Sequence, residues 1–330
     1  MRALVSTYIG GPETLSIAHF PSPPVAPGQV RIAVRACGIN YPDTLIIEDR
    51  YQFKPPRPFS PGGEVAGIVE AVGDGVSNIR IGDRVIGTSL WGGLAEEFIC
   101  QEHRCVRIPD DMPFDDAAAL LLTFGTSYYA LKERGHLKAG ETVVVLGGAG
   151  GIGLASLSLA KAMGARVIAA VSTAEKAAVA RNAGADDVVV YGRDPSAAAL
   201  KSFTESLKHA TGAKGADVIV DAVGGQYAEA ALRAIAWNGR FLVVGFPAGI
   251  PSIPLNLALL KSCQIVGVFW GAWIDREPEA FQKSAEELLD LYRNSQIKPA
   301  ISGRYSLEEA SKAFEQLASR NAVGKLVIMI

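Results

Sequence analysis

The stretch from Val143 to Leu157 constrains the fold of this chain more than any other. Val143-Val144-Val145-Leu146 is a strand-like apolar run that enters Gly147-Gly148-Ala149-Gly150-Gly151-Ile152-Gly153 directly, and Leu154-Ala155-Ser156-Leu157 continues it with helix formers. Gly148, Gly150 and Gly153 have the G-x-G-x-x-G spacing of a dinucleotide turn. The first glycine permits a tight turn, the second lets backbone approach a pyrophosphate, and the third lets helix and strand pack closely. The helix start supplies unpaired N–H groups and a partial positive charge for phosphates. A glycine motif alone also fits an ordinary loop. Its strand-turn-helix setting favours a cofactor site, with Gly148, Gly150, Gly151, Ile152 and Gly153 as contacts.

Behind the turn, short runs rich in Val, Ile and Leu alternate with Ala-rich segments of helical length. The expected strands are Thr142 to Leu146, Arg166 to Val171, Val188 to Val190, Val218 to Asp221 and Arg240 to Val244. The expected helices are Ile152 to Met163, Ala174 to Asn182, Ala197 to Thr211 and Tyr227 to Ile235. Such alternation predicts an α/β unit, a doubly wound parallel sheet. Before it, Pro and Gly clusters punctuate β-type runs at Val30 to Ala36, Val65 to Val72 and Arg84 to Gly87, the pattern of a β-rich domain. After it come an apolar strand at Gln264 to Phe269, helices at Pro278 to Arg293 and Leu307 to Ala318, and a last strand from Lys325 to Ile330. The expected division is 1–117 for the first part of the β-rich domain, 118–264 for the parallel-sheet domain, and 265–330 returning to the first.

A length of 330 residues exceeds one ordinary core and agrees with two domains. The 49% hydrophobic and 20% charged residues are those of a globular chain able to bury a large core. With a formal charge of -2 and no Lys/Arg block, no electrostatic footprint for nucleic acid or an anionic membrane is present, and a small organic substrate is expected. No apolar run reaches the ~18 residues of a membrane span. The N-terminus turns polar too soon for a secretory signal. Cys37, Cys100, Cys105 and Cys263 form no Cys-x-x-Cys pair, which suits packing roles in a reducing cytoplasm.

An NAD-selective site places Asp or Glu at the end of the second strand, about 20 residues past the turn, to bind the ribose 2′-hydroxyl. Here that stretch reads Ala169-Ala170-Val171-Ser172-Thr173, and Lys176 and Arg181 follow. Ser172 and Lys176 therefore point to NADP(H) and its 2′-phosphate. The competing reading is that Ser172 or Thr173 caps the helix and Lys176 is a solvated surface residue.

Five segments carry a family resemblance: Ala36-Cys37-Gly38-Ile39-Asn40-Tyr41-Pro42-Asp43, Pro61-Gly62-Gly63-Glu64-Val65-Ala66-Gly67, Val69-Glu70-Ala71-Val72-Gly73 with Gly82-Asp83-Arg84-Val85, the glycine turn, and Gly324-Lys325. In these the chain resembles the zinc-free quinone oxidoreductase branch, zeta-crystallin-like, of the medium-chain dehydrogenase/reductase superfamily. The resemblance implies a GroES-like catalytic domain built from both chain ends, a Rossmann domain, and a homodimer. It also places Thr126, Tyr191, Val223, Gly245, Phe246, Phe269 and Lys325 at positions that line the cofactor in relatives. Val190 stands where Asn usually precedes that tyrosine.

Zinc-dependent relatives carry Cys, His and Cys where this chain has Asn40, Gly63 and Leu122, and the four-Cys structural lobe is absent between Ser89 and Pro109. Neither an amide nor an aliphatic side chain replaces a zinc ligand, so no metal is expected and simple alcohol oxidation is disfavoured. What remains is hydride delivery to an electron-poor acceptor, with the protein hydrogen-bonding the oxygen on which charge develops. The resemblance puts Asn40, Tyr41 and Tyr51 there as catalytic candidates. Each also has a plainer reading: an Asx turn residue, a packing aromatic, a pocket wall. Quinone reduction is the leading expectation. Reduction of a 2-enoyl thioester or other activated alkene is the alternative, with Arg50, Lys54 and Arg57 as a clamp for CoA phosphates or simply a solvated loop. A non-catalytic NADPH-binding role is the third. Phe269-Trp270-Gly271-Ala272-Trp273 reads as core or subunit interface, or else as an aromatic pocket wall.

Overall fold

A computed structural model describes residues 1–192, 195–319 and 322–330. It divides into two compact units, one of residues 1–122, 273–289 and 298–330 and the other of residues 123–272 and 290–297.

In the second unit, the described residues form a six-stranded parallel sheet. Its order is Asp187–Val190, Arg166–Val171, Thr142–Leu146, Ala216–Asp221, Ile235–Val243, Gln264–Gly267. Strand order reverses between Thr142–Leu146 and Ala216–Asp221, and the carboxyl ends of strands at such a switch point form the usual ligand crevice of an open α/β sheet. Val143, Val144, Val167, Ile168, Val218 and Ile219 are fully buried, as expected where helices cover both faces. The helices Ala174–Asn182 and Ala197–Thr211 start where their caps direct. Thr173 accepts from the Lys176 amide, and Ser196 from that of Ala199.

Two sequence expectations are corrected here. The helix expected from Tyr227 to Ile235 spans Gly225–Leu232, and Ile235, β-branched and fully buried, instead opens a strand opposite Ala216. The strand expected from Gln264 to Phe269 ends at Gly267, and a helix follows over Trp270–Arg276. Trp270 and Trp273 are buried while Phe269 is about half exposed, so most of that aromatic cluster is core.

The first unit is organised around the eleven-residue strand Gln29–Ile39. It pairs antiparallel with Glu64–Val72 and with Lys325–Met329, so the chain's last strand lies beside its third. Ile32, Val34, Val65, Phe98, Phe314 and Leu326 fill the core beneath. Burying such a side chain contributes roughly 1.5–3 kcal/mol. Register then brings three polar strand ends together. Ile39 opposes Leu326, and Cys37 opposes Val65, which places Asn40, Lys325 and Glu64 at one corner of the sheet.

Candidate functional site

The glycine turn is pinned to the neighbouring strands by its own backbone. Gly148 donates to the Ala170 carbonyl at 3.0 Å, and Gly147, at φ 70°, lies under the Val223 side chain. The helix Gly151–Ala162 begins immediately afterwards, so the first-turn amides of Gly151, Ile152 and Gly153 have no acceptor one turn back. A Cβ on Gly150 would meet only the Gly147 carbonyl oxygen, at 3.6 Å, which leaves an open approach beside those amides. This cradle fits a pyrophosphate. Ser127 donates to the Ile152 carbonyl at 3.2 Å and accepts from Ser156 at 3.0 Å, and so fixes Thr126, its neighbour, against the helix start. Sequence reasoning passed over Ser127.

The carboxyl ends of the other strands bring further candidates to the same edge. Asp221, 1% exposed, takes the amides of Val223 and Gly224 on one oxygen at 2.9 and 2.8 Å and holds that loop in place. Burial pushes its carboxyl up to about 6, against those two amides. Gly245 donates to the Asp221 carbonyl, and Phe246 and Phe269 stand half exposed beyond the strand ends. Tyr191 donates its backbone amide to Val171, and its ring packs on Phe203 and Tyr227 with centroids 5.0 and 4.6 Å away. Burial pushes its phenol well up. Ser172 and Lys176 are half-buried just past the second strand, where no carboxylate ends that strand. Glu175 is on the following helix and exposed.

The first unit holds the other candidates. Asn40, 6% exposed, accepts from the Lys325 ammonium at 2.7 Å through Oδ1 and donates to the Gly38 carbonyl at 3.1 Å through Nδ2. Lys325 also meets Glu64 Oε2 at 2.9 Å, and Glu64 Oε1 accepts the Leu122 amide at 2.7 Å. Asp43 accepts the backbone N–H of Asn40 at 2.7 Å, and burial pushes its carboxyl up to about 7. Tyr41 opens the helix Tyr41–Ile47 and is half-buried. Tyr51 packs on the core edge with Phe53, centroids 6.1 Å apart; burial first, and then the Asp43 charge, raises its phenol. Sequence reasoning did not anticipate the buried carboxylates Glu64 and Asp43. Of the three bases near Tyr51, Arg57 is engaged by Asp49 at 2.7 Å and by the Ile47 carbonyl, and Arg50 by Glu48 at 2.9 Å.

Among the described residues, no three His, Cys, Asp or Glu side chains converge as a metal-donor group. No helix among the described residues is long and apolar enough to cross a membrane. At the opposite, amino-terminal end of the parallel sheet, a cleft of about 410 Å³ is lined by Lys208, His209, Lys214, Arg233 and Lys261. Helix carbonyl ends account for Lys208, His209 and Lys261, while Asp217 and Glu229 pair with Lys214 and Arg233.

A glycine-turn parallel sheet combined with a β-rich unit built from both chain ends defines a two-part, dinucleotide-dependent oxidoreductase. A model of the alcohol dehydrogenase GroES-like domain matches residues 26–110, and one described as zinc-binding dehydrogenase matches residues 151–290. The chain is 38% identical to quinone oxidoreductase-like protein 2 homolog of Nematostella vectensis, over 99% of this chain and 88% of that one. It is 32% identical to human quinone oxidoreductase, over 100% and 98%. Escherichia coli quinone oxidoreductase, solved with NADPH, superposes with a TM-score of 0.91 at 30% identity, covering all of both chains. The chain belongs to the medium-chain dehydrogenase/reductase family, in its zinc-free quinone oxidoreductase branch.

Proposed function

We propose that this protein is an NADPH-dependent quinone oxidoreductase that works without a metal. The observation carrying this reading is the chemistry at the three positions where zinc relatives hold their metal: an amide at Asn40, no side chain at Gly63, and an aliphatic one at Leu122. No group there polarises an alcohol oxygen as a Lewis acid does. An acceptor that is already electron-poor needs none. NADPH supplies the hydride when bound; the amides of Gly151, Ile152 and Gly153 would hold its pyrophosphate, and Ser172 with Lys176 its 2′-phosphate. Thr126, Tyr191, Val223, Gly245, Phe246 and Phe269 would line it. The side-chain amide of Asn40, its Nδ2 shared between the Gly38 carbonyl at 3.1 Å and Glu64 at a long 3.5 Å, would face the acceptor oxygen as charge develops. Tyr41 and Tyr51 would complete the wall. Reduction of a 2-enoyl-CoA is the second reading, and the engagement of Arg50 and Arg57 by nearby carboxylates weakens it.

Purified protein is expected to oxidise NADPH with quinones at rates that a chelator leaves unchanged. Loss of activity on chelation would overturn the metal-free reading. A preference for NADH of tenfold or more, ~1.4 kcal/mol, would overturn the NADP(H) assignment. Tyr51→Phe is expected to slow enoyl-CoA reduction far more than quinone reduction.

We also propose a homodimer. Strand Gln264–Gly267 pairs only with Ile235–Val243 among the described residues, and Leu255, Leu259, Leu260 and Ile265 are exposed around it. An open edge flanked by apolar side chains is what a second copy of the chain would cover. Light scattering should give twice the 34.8 kDa chain mass, and Leu259→Glu with Ile265→Lys should halve it. A wild-type monomer at micromolar concentration sinks the proposal. The free thiols Cys37, Cys100, Cys105 and Cys263 fit a reducing, cytoplasmic setting.

A further inference from the structure

We propose that Lys325 is a positioning residue whose ammonium, anchored by Glu64, locks the side-chain amide of Asn40 in a single orientation. The inference rests on the reading of this corner as the acceptor site. It differs from the resemblance, which makes Lys325 a cofactor contact.

A lysine ammonium donates only, so the Asn40 atom 2.7 Å from Lys325 Nζ has to be the oxygen. That fixes the amide nitrogen on the other side, toward the Gly38 carbonyl at 3.1 Å and Glu64 Oε2 at 3.5 Å, both of them acceptors. The flipped amide would set its NH2 against the ammonium and its oxygen against a carboxylate. Lys325 is itself held by Glu64 Oε2 at 2.9 Å, with the two side chains 4% and 0% exposed. Gly38 makes room for this, because a Cβ there would stand 3.0 Å from Lys325 Nζ and overlap the Ala118 carbonyl.

The network also joins the three positions at which zinc relatives bind metal. Asn40 is one. Glu64 directly follows the second, Gly63, and its other oxygen takes the amide of the third, Leu122. An ammonium–carboxylate pair thus ties together what a divalent cation would gather, and it holds the Asn40 amide with Oδ1 on the ammonium and Nδ2 on the Gly38 and Glu64 acceptors.

The test compares Lys325→Met, Lys325→Arg and the double variant Glu64→Gln/Lys325→Met in the full chain. Lys325→Met alone strands the buried Glu64 carboxylate, so the double variant, which removes both charges and keeps an acceptor for Leu122, is the decisive one. It is expected to recover thermal stability while kcat with a quinone stays at least about tenfold down and the NADPH Kd, read by fluorescence, stays within about twofold. Lys325→Arg should keep more of kcat than Lys325→Met. Recovery of kcat together with stability in the double variant would make the pair merely structural and overturn the proposal. A rise of about tenfold or more in NADPH Kd would make Lys325 a cofactor contact and overturn it equally. If wild-type protein reduces no acceptor, the functional reading fails separately. The Lys325 ammonium signal in ¹H–¹⁵N spectra then decides, since slow exchange with water is expected in the wild type and its absence would refute the lock.

Discussion

Gly153→Ala is expected to cost both cofactor affinity and stability, whereas Gly150→Ala, three residues earlier, should cost affinity alone. A Cβ on Gly153 would overlap the Gly147 carbonyl oxygen and stand 2.8 Å from Gly147 C and from Gly148 Cα. These are backbone atoms of the turn itself and cannot rotate away. The helix Gly151–Ala162 would have to lift off the strand end, and overpacking of this kind costs about 1–3 kcal/mol. The same lift moves the first-turn amides from the position in which they face phosphate, so NADPH affinity should fall at least about 100-fold, ~2.7 kcal/mol. At Gly150 the backbone is ordinary for an alanine, φ -80° and ψ 172°, and the nearest atom to a Cβ is 3.6 Å away. Its methyl would enter only the space a pyrophosphate needs. Denaturation midpoints together with NADPH titrations for the two variants separate the roles. Equal stability for Gly153→Ala and the wild type would remove the close-packing role.

That contrast shows what the sequence disclosed and what it withheld. Glycine spacing, apolar periodicity and caps act within a few residues, so the turn and the helices Ala174–Asn182, Ala197–Thr211 and Pro278–Arg293 were legible to the residue. The end of the helix before Ile235 was not, because nothing local shows that Ile235 pairs across the sheet with Ala216. Asn40 and Lys325 stood out only by resemblance, and the carboxylate that joins them did not stand out at all. Glu64 opens a run of apolar residues, a hint that it is buried, but its cation lies 261 residues further on. Only the register of three strands brings the two together. Asp43 escaped notice similarly, its partner being a backbone amide that any sequence offers.

Glu64→Ala should therefore be among the most damaging single substitutions in the chain, at about 3–5 kcal/mol. The carboxylate is wholly buried and makes three separate contacts: the Lys325 ammonium at 2.9 Å, the Leu122 amide at 2.7 Å, and the longer approach of Asn40 at 3.5 Å. Its removal leaves a buried ammonium without its hydrogen-bonded carboxylate and a backbone N–H without an acceptor, and an orphaned donor alone costs about 1–3 kcal/mol. The two penalties fall on neighbouring groups and will not simply add. Glu96→Ala supplies the scale. Glu96 pairs with Arg2 at a similar 2.8 Å and takes the Arg2 backbone amide at 2.7 Å, but with both side chains at least 40% exposed, so water screens the pair and can replace either partner. Similar geometry with opposite burial should separate the two variants by several kcal/mol in urea denaturation. Because the chain has two units, the loss should appear in the transition that unfolds the first of them and leave the parallel-sheet unit near its own midpoint. A cost for Glu64→Ala no larger than that for Glu96→Ala would mean that water reaches Lys325, and that the buried pair does not hold this corner of the sheet.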